Sequence, residues 1–251
     1  MTHINETARA GFAAEAESYD RGRPGYPSAA ILSLMAGLGV NETTTVVDLA
    51  AGTGKFTGLL APFTKVVAVE PVAAMRVIFG RRYPEIPLLE GTAEAIPLPE
   101  GYADVITAAQ AFHWFQGQAA LREMHRVLRP LGTLGLIWNV RDESSPWVHQ
   151  LMELIRPYHG QTPAYSSGDW KTAFENENFF APLDHKEFAH VQVCAISDVV
   201  DHLASISYVA ALETSLRKEL LEEISGRLIS CHGAGPVEFP YRTDIWMYRR
   251  S

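Results

Sequence analysis

The chain has 251 residues, with 21 Lys and Arg against 29 Asp and Glu, so its formal net charge is −8 at pH 7. The average electrostatic field of an acidic protein repels phosphates. We therefore do not expect a nucleic-acid partner unless the fold gathers basic side chains into a local patch. The hydrophobic fraction of 47% with 20% charged residues excludes disorder and is typical of a globular protein that can bury a large core.

The cysteine spacing and the distribution of apolar residues indicate the cellular compartment. Cys194 and Cys231 stand in no Cys-x-x-Cys pattern, so we expect neither a disulfide scaffold nor a structural zinc site. The first residues lack the basic and apolar regions of a signal peptide, and no apolar run approaches 18 residues. We therefore expect a cytoplasmic protein that does not cross a membrane.

Helical and extended segments alternate along the first 140 residues. Residues 7–19 and 28–38 are helical in propensity and flank a turn rich in proline and glycine at 21–27. Helices are also predicted over 72–83 and 118–129, and apolar runs predict buried strands over 44–49, 66–69, 104–109 and 134–138. Strands that alternate with helices indicate a parallel sheet covered on both faces.

The remaining residues have a different pattern. A helix is predicted over 147–156, and residues 184–194 and 237–249 alternate polar and apolar side chains as exposed or edge strands do. Residues 198–231 between them are helical in pattern. We expect two antiparallel strands with a helical lid inserted between them, and no linker marks a second independent domain.

The most informative segment is the loop of small residues at 50–54. It follows a predicted buried strand and leads into a helix, so its backbone amides can approach a ligand. A phosphate-binding P-loop would need glycine at Leu49 and serine or threonine at Phe56, and a dinucleotide fingerprint would need glycine at Thr57. Neither alternative explains Asp48 in the strand before the turn.

Asp48 to Gly54 resembles the first motif of class I S-adenosylmethionine-dependent methyltransferases, with Ala50 in place of its first glycine. Glu70 ends the next strand, 18 residues after Gly52, where an acidic side chain can accept hydrogen bonds from ribose hydroxyls. The resemblance continues through 91–94, 110–115 and 121–132 and covers about 44–139. Within that class, the sequence resembles the ubiquinone-biosynthesis-like branch, also called type 11.

The resemblance implies an α/β fold with a Rossmann-like, doubly wound, seven-stranded sheet, mostly parallel with an antiparallel last strand. We expect one methyltransferase domain over 1–251. It divides into an N-terminal helical lid segment at 1–40, a cofactor-binding core at 41–139, and a substrate-side segment at 140–251 with the helical insertion at about 197–232.

The same resemblance, with the positions of strand ends, predicts the site. The cofactor-binding residues are Tyr19, Asp48, Ala50, Gly52, Gly54, Glu70, Thr92, Ala93 and Gln110. His113 follows the strand predicted over 104–109 and is the candidate general base, the alternative being a structural histidine beside Trp114. Trp114, Asn139, Arg141 and Tyr208 are the candidate substrate-binding residues, and the nine histidines show no metal-ligand spacing.

The predicted function is methyl transfer from S-adenosylmethionine to O, N or S of a small molecule, with release of S-adenosylhomocysteine. Methylation of protein or tRNA is an alternative within enzymes, and a regulatory protein that only binds the cofactor is a third. A nicotinamide-dependent dehydrogenase is the most distant option. The acceptor molecule and the oligomeric state stay open.

Overall fold

The structure is a computed structural model that describes residues 23–175 and 177–251. Its strands form one seven-stranded sheet. They are β1 Thr45–Leu49, β2 Lys65–Val69, β3 Leu88–Leu89, β4 Ala103–Ala109, β5 Leu128–Arg141, β6 Phe180–Cys194 and β7 Val237–Arg250. The order across the sheet is β3-β2-β1-β4-β5-β7-β6. Strands β1 to β5 pair in parallel, whereas β7 is antiparallel to both β5 and β6. This confirms the predicted sheet, including its antiparallel last strand.

The described helices lie close to their predicted positions in the first half of the chain. They are α1 Ser28–Leu38, α2 Thr57–Leu60, α3 Ala73–Arg82, α4 Gly117–Val127, α5 Pro146–Ile155, α6 Ile196–Ala204, α7 Ser207–Ala210 and α8 Thr214–His232. The segment predicted as one helical stretch over 198–231 is three helices. The last begins where the Glu213 side chain accepts hydrogen bonds from the backbone N–H groups of Ser215 and Leu216.

Apolar side chains fill both faces of the sheet. Successive residues of a strand point to opposite faces, so Val47 joins a core with α4 while Val46 joins a second core with α1. This is why the central strands contain continuous apolar runs rather than alternating ones. A third cluster joins α5 to the helices between β6 and β7.

Strands β5 and β6 are longer than predicted. The sequence predicts β5 over 134–138, but the strand spans Leu128–Arg141 and includes Leu131, which adopts a positive φ of 64° and is 76% exposed. β6 begins at Phe180 rather than 184 and contains Pro182, which an edge strand tolerates because one row of its backbone groups faces away from any partner.

Of the predicted N-terminal helical lid segment over 1–40, the structure describes residues 23–40, so the segment as a whole stays a prediction. In its described part, residues 24–27 have no regular secondary structure, and α1 packs into the core through Leu34 and Leu38 rather than covering the site. Tyr19, predicted to close the cofactor pocket, lies outside the described residues. Within the described residues no helix has the length and apolar character that a membrane span requires.

Candidate active site

The loop after β1 has the geometry of a ligand cradle. Gly52 and Gly54 have positive φ angles of 60° and 84°, where residues with a Cβ are strained. A Cβ on Gly52 would meet nothing within 4 Å, so open space lies beside this backbone. A Cβ on Gly54 would lie 2.7 Å from the Tyr83 ring, so this glycine allows close packing beneath the loop. Gly52 thus leaves room for a ligand, whereas Gly54 serves the fold.

Two residues that are not glycine also adopt positive φ at the ends of neighbouring strands. Ala50 follows β1 with a φ of 54°, and Gln110 follows β4 with a φ of 58°. Such conformations cost on the order of 1 kcal/mol each and cluster at functional sites. Ala50 therefore keeps the backbone geometry that the first glycine of the motif would provide, and both residues line the same small pocket.

Glu70 lies against the glycine loop. Its Oε2 accepts a hydrogen bond from the Gly52 N–H at 2.8 Å, and its Oε1 accepts one from the Val72 N–H at 2.8 Å. Burial raises the pKa of this carboxyl, although the two backbone N–H groups act in the opposite direction. Each oxygen keeps a second lone pair, so the carboxylate can still accept hydrogen bonds from ligand hydroxyls.

Asp48 is buried beneath the loop. Its two oxygens accept hydrogen bonds from the hydroxyls of Thr57 at 2.6 Å and Thr107 at 3.0 Å. Burial raises its pKa to about 7. The two threonine hydroxyls oppose this rise, and the nearby Glu70 charge adds to it. Asp48 therefore ties β1 to α2 and β4, and it still borders the small pocket.

The residues near the predicted adenine edge fit a bound nucleoside. Thr92 and Ala93 are buried just beyond β3, which pairs with β2 on the side of Glu70. The Thr92 hydroxyl has no hydrogen-bond partner among the described residues. An orphaned buried hydroxyl is costly unless something satisfies it, so this atom is a donor and acceptor available to a ligand.

The chain at 23–27 crosses the loop and is held by hydrogen bonds and ring packing. The Lys55 ammonium donates to the Arg23 carbonyl at 2.8 Å, and the Asn139 side-chain amide donates to the Gly25 carbonyl at 2.9 Å. The Tyr26 ring packs edge-on against Phe56 at 5.4 Å. Asn139 Oδ1 also accepts from the Thr243 hydroxyl at 2.6 Å, so this predicted substrate residue holds the covering segment in place.

A second cavity of about 170 Å³ adjoins the small pocket that the glycine loop lines. The two cavities share Arg23, Pro24 and Gln110, so a group bound in one lies next to a group bound in the other. Four predicted substrate-binding residues line this second cavity, together with the predicted base: Trp114, Asn139, Arg141, Tyr208 and His113. We refer to it below as the acceptor pocket.

His113 lies where the sequence predicts, but its hydrogen bond does not favour the role of general base. The Trp138 indole N–H donates to His113 Nδ1 at 3.1 Å, which leaves the imidazole proton on Nε2. Burial and the Arg23 charge lower the His113 pKa to about 3. The ring is therefore neutral near pH 7 with its lone pair engaged, and the geometry favours a hydrogen-bond donor. The catalytic role of His113 stays a prediction.

Loops after β5 supply a wall of the acceptor pocket that the sequence does not reveal. The Tyr165 ring packs against Trp138, tilted by 32° with ring centroids 4.6 Å apart, and its hydroxyl donates to Asp244 at 2.5 Å. His159 and His202 also line this pocket. These residues lie in loops or on helix faces without a recognisable motif. Only the neighbouring Pro157 and Pro163 indicate that the chain turns there.

One group of side chains among the described residues has metal-ligand spacing. His185, Glu187 and Asp244 offer ligand atoms within 4.8 Å of one another on β6 and β7. However, the Arg242 guanidinium already donates to both Asp244 oxygens, at 2.7 Å and 3.0 Å. An arginine thus supplies the positive charge there, which does not favour a metal ion.

Comparison with known proteins identifies the family. A methyltransferase domain model of type 11 matches residues 47–136. A methyltransferase-like protein of Schizosaccharomyces pombe is 28% identical over 92% of each chain. A methyltransferase of Mycobacterium bovis is 42% identical in an alignment that covers 62% of this chain and 63% of that relative.

Solved structures show the same fold. A protein from Anaeromyxobacter dehalogenans assigned as a type II methyltransferase has a TM-score of 0.64 and 26% identity, covering 90% of this chain and 96% of its own. A geranyl diphosphate C-methyltransferase from Streptomyces coelicolor, solved with S-adenosylhomocysteine, has a TM-score of 0.52 and 17% identity, covering 89% and 76%. Sheet order, glycine loop, matched domain and relatives agree: the chain is a methyltransferase, with a type 11 methyltransferase domain at residues 47–136.

Proposed function

We propose that the protein transfers a methyl group from S-adenosylmethionine to O, N or S of a small-molecule acceptor. The observation that carries the proposal is the pair of adjoining cavities that share Arg23, Pro24 and Gln110. Methyl transfer is a displacement at carbon, so the enzyme must hold an acceptor atom beside the methyl group and keep water out. Two cavities joined at one boundary suit this requirement.

Use of S-adenosylmethionine is supported by the fit of the residues at the loop. The Glu70 carboxylate suits ribose hydroxyls, and the orphaned Thr92 hydroxyl suits a polar edge of adenine. When bound, this cofactor supplies an activated methyl group. A fold relative of this chain was solved with S-adenosylhomocysteine, which adds further support.

The size and enclosure of the acceptor pocket support a small molecule over a macromolecule. Its volume is about 170 Å³, and the segment at 23–24, loop residues 159–166 and residues 202–208 of the helical region surround it. The whole chain is acidic, which also disfavours RNA. The protein therefore has a compartment suited to a metabolite.

Transfer of labelled methyl from S-adenosylmethionine into heat-inactivated cell extract tests the proposal. The extract is separated into metabolite, RNA and protein pools, and Glu70→Ala protein serves as the matched negative control. We expect label in the metabolite pool with the natural protein and none with the Glu70→Ala protein. Label confined to RNA or protein would contradict the small-molecule acceptor, and absence of label in all pools would contradict the activity.

A further inference from the structure

Positive charge is concentrated in the acceptor pocket of this acidic protein. Arg23 and Arg141 line it, and Glu143 is its carboxylate among the described residues. The Glu143 side chain is 41% exposed and accepts a hydrogen bond from the Arg156 guanidinium at 2.7 Å, so its charge is paired. Burial raises the Tyr208 pKa, and the charges of Arg141, Arg156 and Arg23 act in the opposite direction. The pocket therefore favours an anion.

Arg141 is held by a hydrogen bond to His202 and keeps N–H groups that can donate to a ligand. Its Nη1 lies 3.3 Å from His202 Nε2. Arginine can only donate, so His202 Nε2 accepts, and its Nδ1 proton faces the Tyr241 hydroxyl at 3.4 Å. Arg141 Nε is buried and has no hydrogen-bond partner in the part of the chain that the structure describes. A guanidinium fixed at one end, with a buried donor unsatisfied, is suited to a planar, two-oxygen acceptor.

The pocket is poor in groups that could remove a proton from the acceptor. The lone pairs of His113 and His202 accept hydrogen bonds from Trp138 and Arg141. The Tyr165 hydroxyl donates to Asp244, and burial raises the pKa of this phenol. The Glu143 carboxylate is paired with the Arg156 guanidinium, and His159 donates from Nδ1 to the Gly160 carbonyl at 3.2 Å. The His159 Nε2 lone pair is therefore the candidate base that must be tested.

An acceptor that is already an anion near pH 7 needs no general base. Carboxylates meet this condition because their pKa values lie near 4, whereas alcohols, thiols and ammonium groups must first lose a proton. The positive charge of the pocket favours an anionic acceptor, and the engaged histidine lone pairs favour an acceptor that needs no base. Both observations indicate a carboxylate.

We propose that the acceptor is a carboxylate held by the Arg141 guanidinium, with the neutral His113 Nε2–H as a second donor, and that the product is a methyl ester. This inference rests on the proposed function. A carboxylate oxygen forms the new bond to the methyl carbon with its lone pair, the carbon–sulfur pair leaves with sulfur, and the sulfonium becomes a neutral thioether. No proton is transferred, so atoms and charge balance without a base.

Methyl esters differ from N-, S- and C-methyl products because mild alkali releases their methyl group as volatile methanol. The test uses methyl-labelled S-adenosylmethionine, the metabolite fraction of heat-inactivated extract, and the full-length protein. We expect the label to become volatile after alkali. Arg141→Gln should lower the volatile label by about 30-fold, because one charge-assisted anchor is lost. Arg141→Lys should restore part of it, while S-adenosylhomocysteine affinity stays unchanged in both.

Two control variants sharpen the result. Arg227→Gln removes an equal charge from the exposed face of α8, where Arg227 pairs with Glu223, and should leave volatile label unchanged. His159→Gln removes the remaining candidate base and should lower volatile label by less than Arg141→Gln does. Retained S-adenosylhomocysteine binding shows that each variant is folded.

The outcomes separate the inference from the function on which it rests. Alkali-stable label would overturn the carboxylate assignment and leave methyl transfer intact. Volatile label that Arg141→Gln leaves undiminished, or that His159→Gln abolishes, would likewise overturn the inference. No label, despite S-adenosylhomocysteine binding, would overturn the proposed function and this inference with it.

Discussion

Glu70→Ala is expected to weaken binding of S-adenosylhomocysteine by about 100-fold, because hydrogen bonds to a charged group contribute about 1.5–3 kcal/mol each. The carboxylate lies between the Gly52 and Val72 N–H groups, and its remaining lone pairs are available to two ribose hydroxyls. The variant also leaves those backbone donors without their partner, so the loop loses part of its order. Isothermal titration calorimetry measures the change directly.

Glu85→Ala is the matched control for Glu70→Ala. Glu85 is an exposed glutamate between α3 and β3, so its removal changes the net charge equally without touching the glycine loop. We expect its affinity for S-adenosylhomocysteine to equal that of the natural protein. A Glu70→Ala affinity within threefold of the natural value would contradict the assignment of Glu70 to the cofactor.

Asp48→Asn is expected to stabilise the protein at pH 8 by about 4 kcal/mol, and to weaken cofactor binding. Burial raises the Asp48 pKa from 3.8 to about 7, and each pKa unit corresponds to about 1.4 kcal/mol. The folded pKa lies above the unfolded one, so the contribution to stability is fully present below pH 4 and is lost as pH rises through 7. Asparagine never ionises, and the Thr57 and Thr107 hydroxyls can each donate or accept.

Urea denaturation at pH 5 and pH 8 measures this effect. Stability of the natural protein should fall across this interval relative to Asp48→Asn. Asp142→Asn is the control: hydrogen bonds from Ser144 lower the Asp142 pKa, so its loss should bring no gain at pH 8. A less stable Asp48→Asn protein at pH 8 would show that the ionised carboxylate stabilises the fold.

The central sheet and the position of the glycine loop could be predicted from sequence because local patterns determine them. The apolar run that ends in Asp48 sets β1, the glycines after it require a turn, and Glu70 follows from the length of one strand–helix–strand unit. The bounds of α1 agree with the predicted 28–38 because Gly39, in a left-handed conformation, ends the helix. Each of these features lies within a short stretch of sequence.

The acceptor side could not be predicted to the same depth, because contacts between distant segments determine it. Trp138 sets the His113 tautomer across 25 residues, and His202 orients Arg141 across 61. Asn139 is predicted as a substrate residue from its position after β5, yet its amide binds Gly25, 114 residues away. Neither propensity nor periodicity contains information on which partner a polar side chain finds.

The crystal structure of the protein with S-adenosylhomocysteine is the measurement that tests the central claim most directly. The account predicts ribose hydroxyls at about 3 Å from the Glu70 carboxylate, the usual hydrogen-bond distance. It also predicts adenine beside Thr92 and Ala93, and the sulfur at the boundary with the acceptor pocket near Gln110. Ribose placed away from Glu70, or a sulfur that faces away from the acceptor pocket, would contradict it.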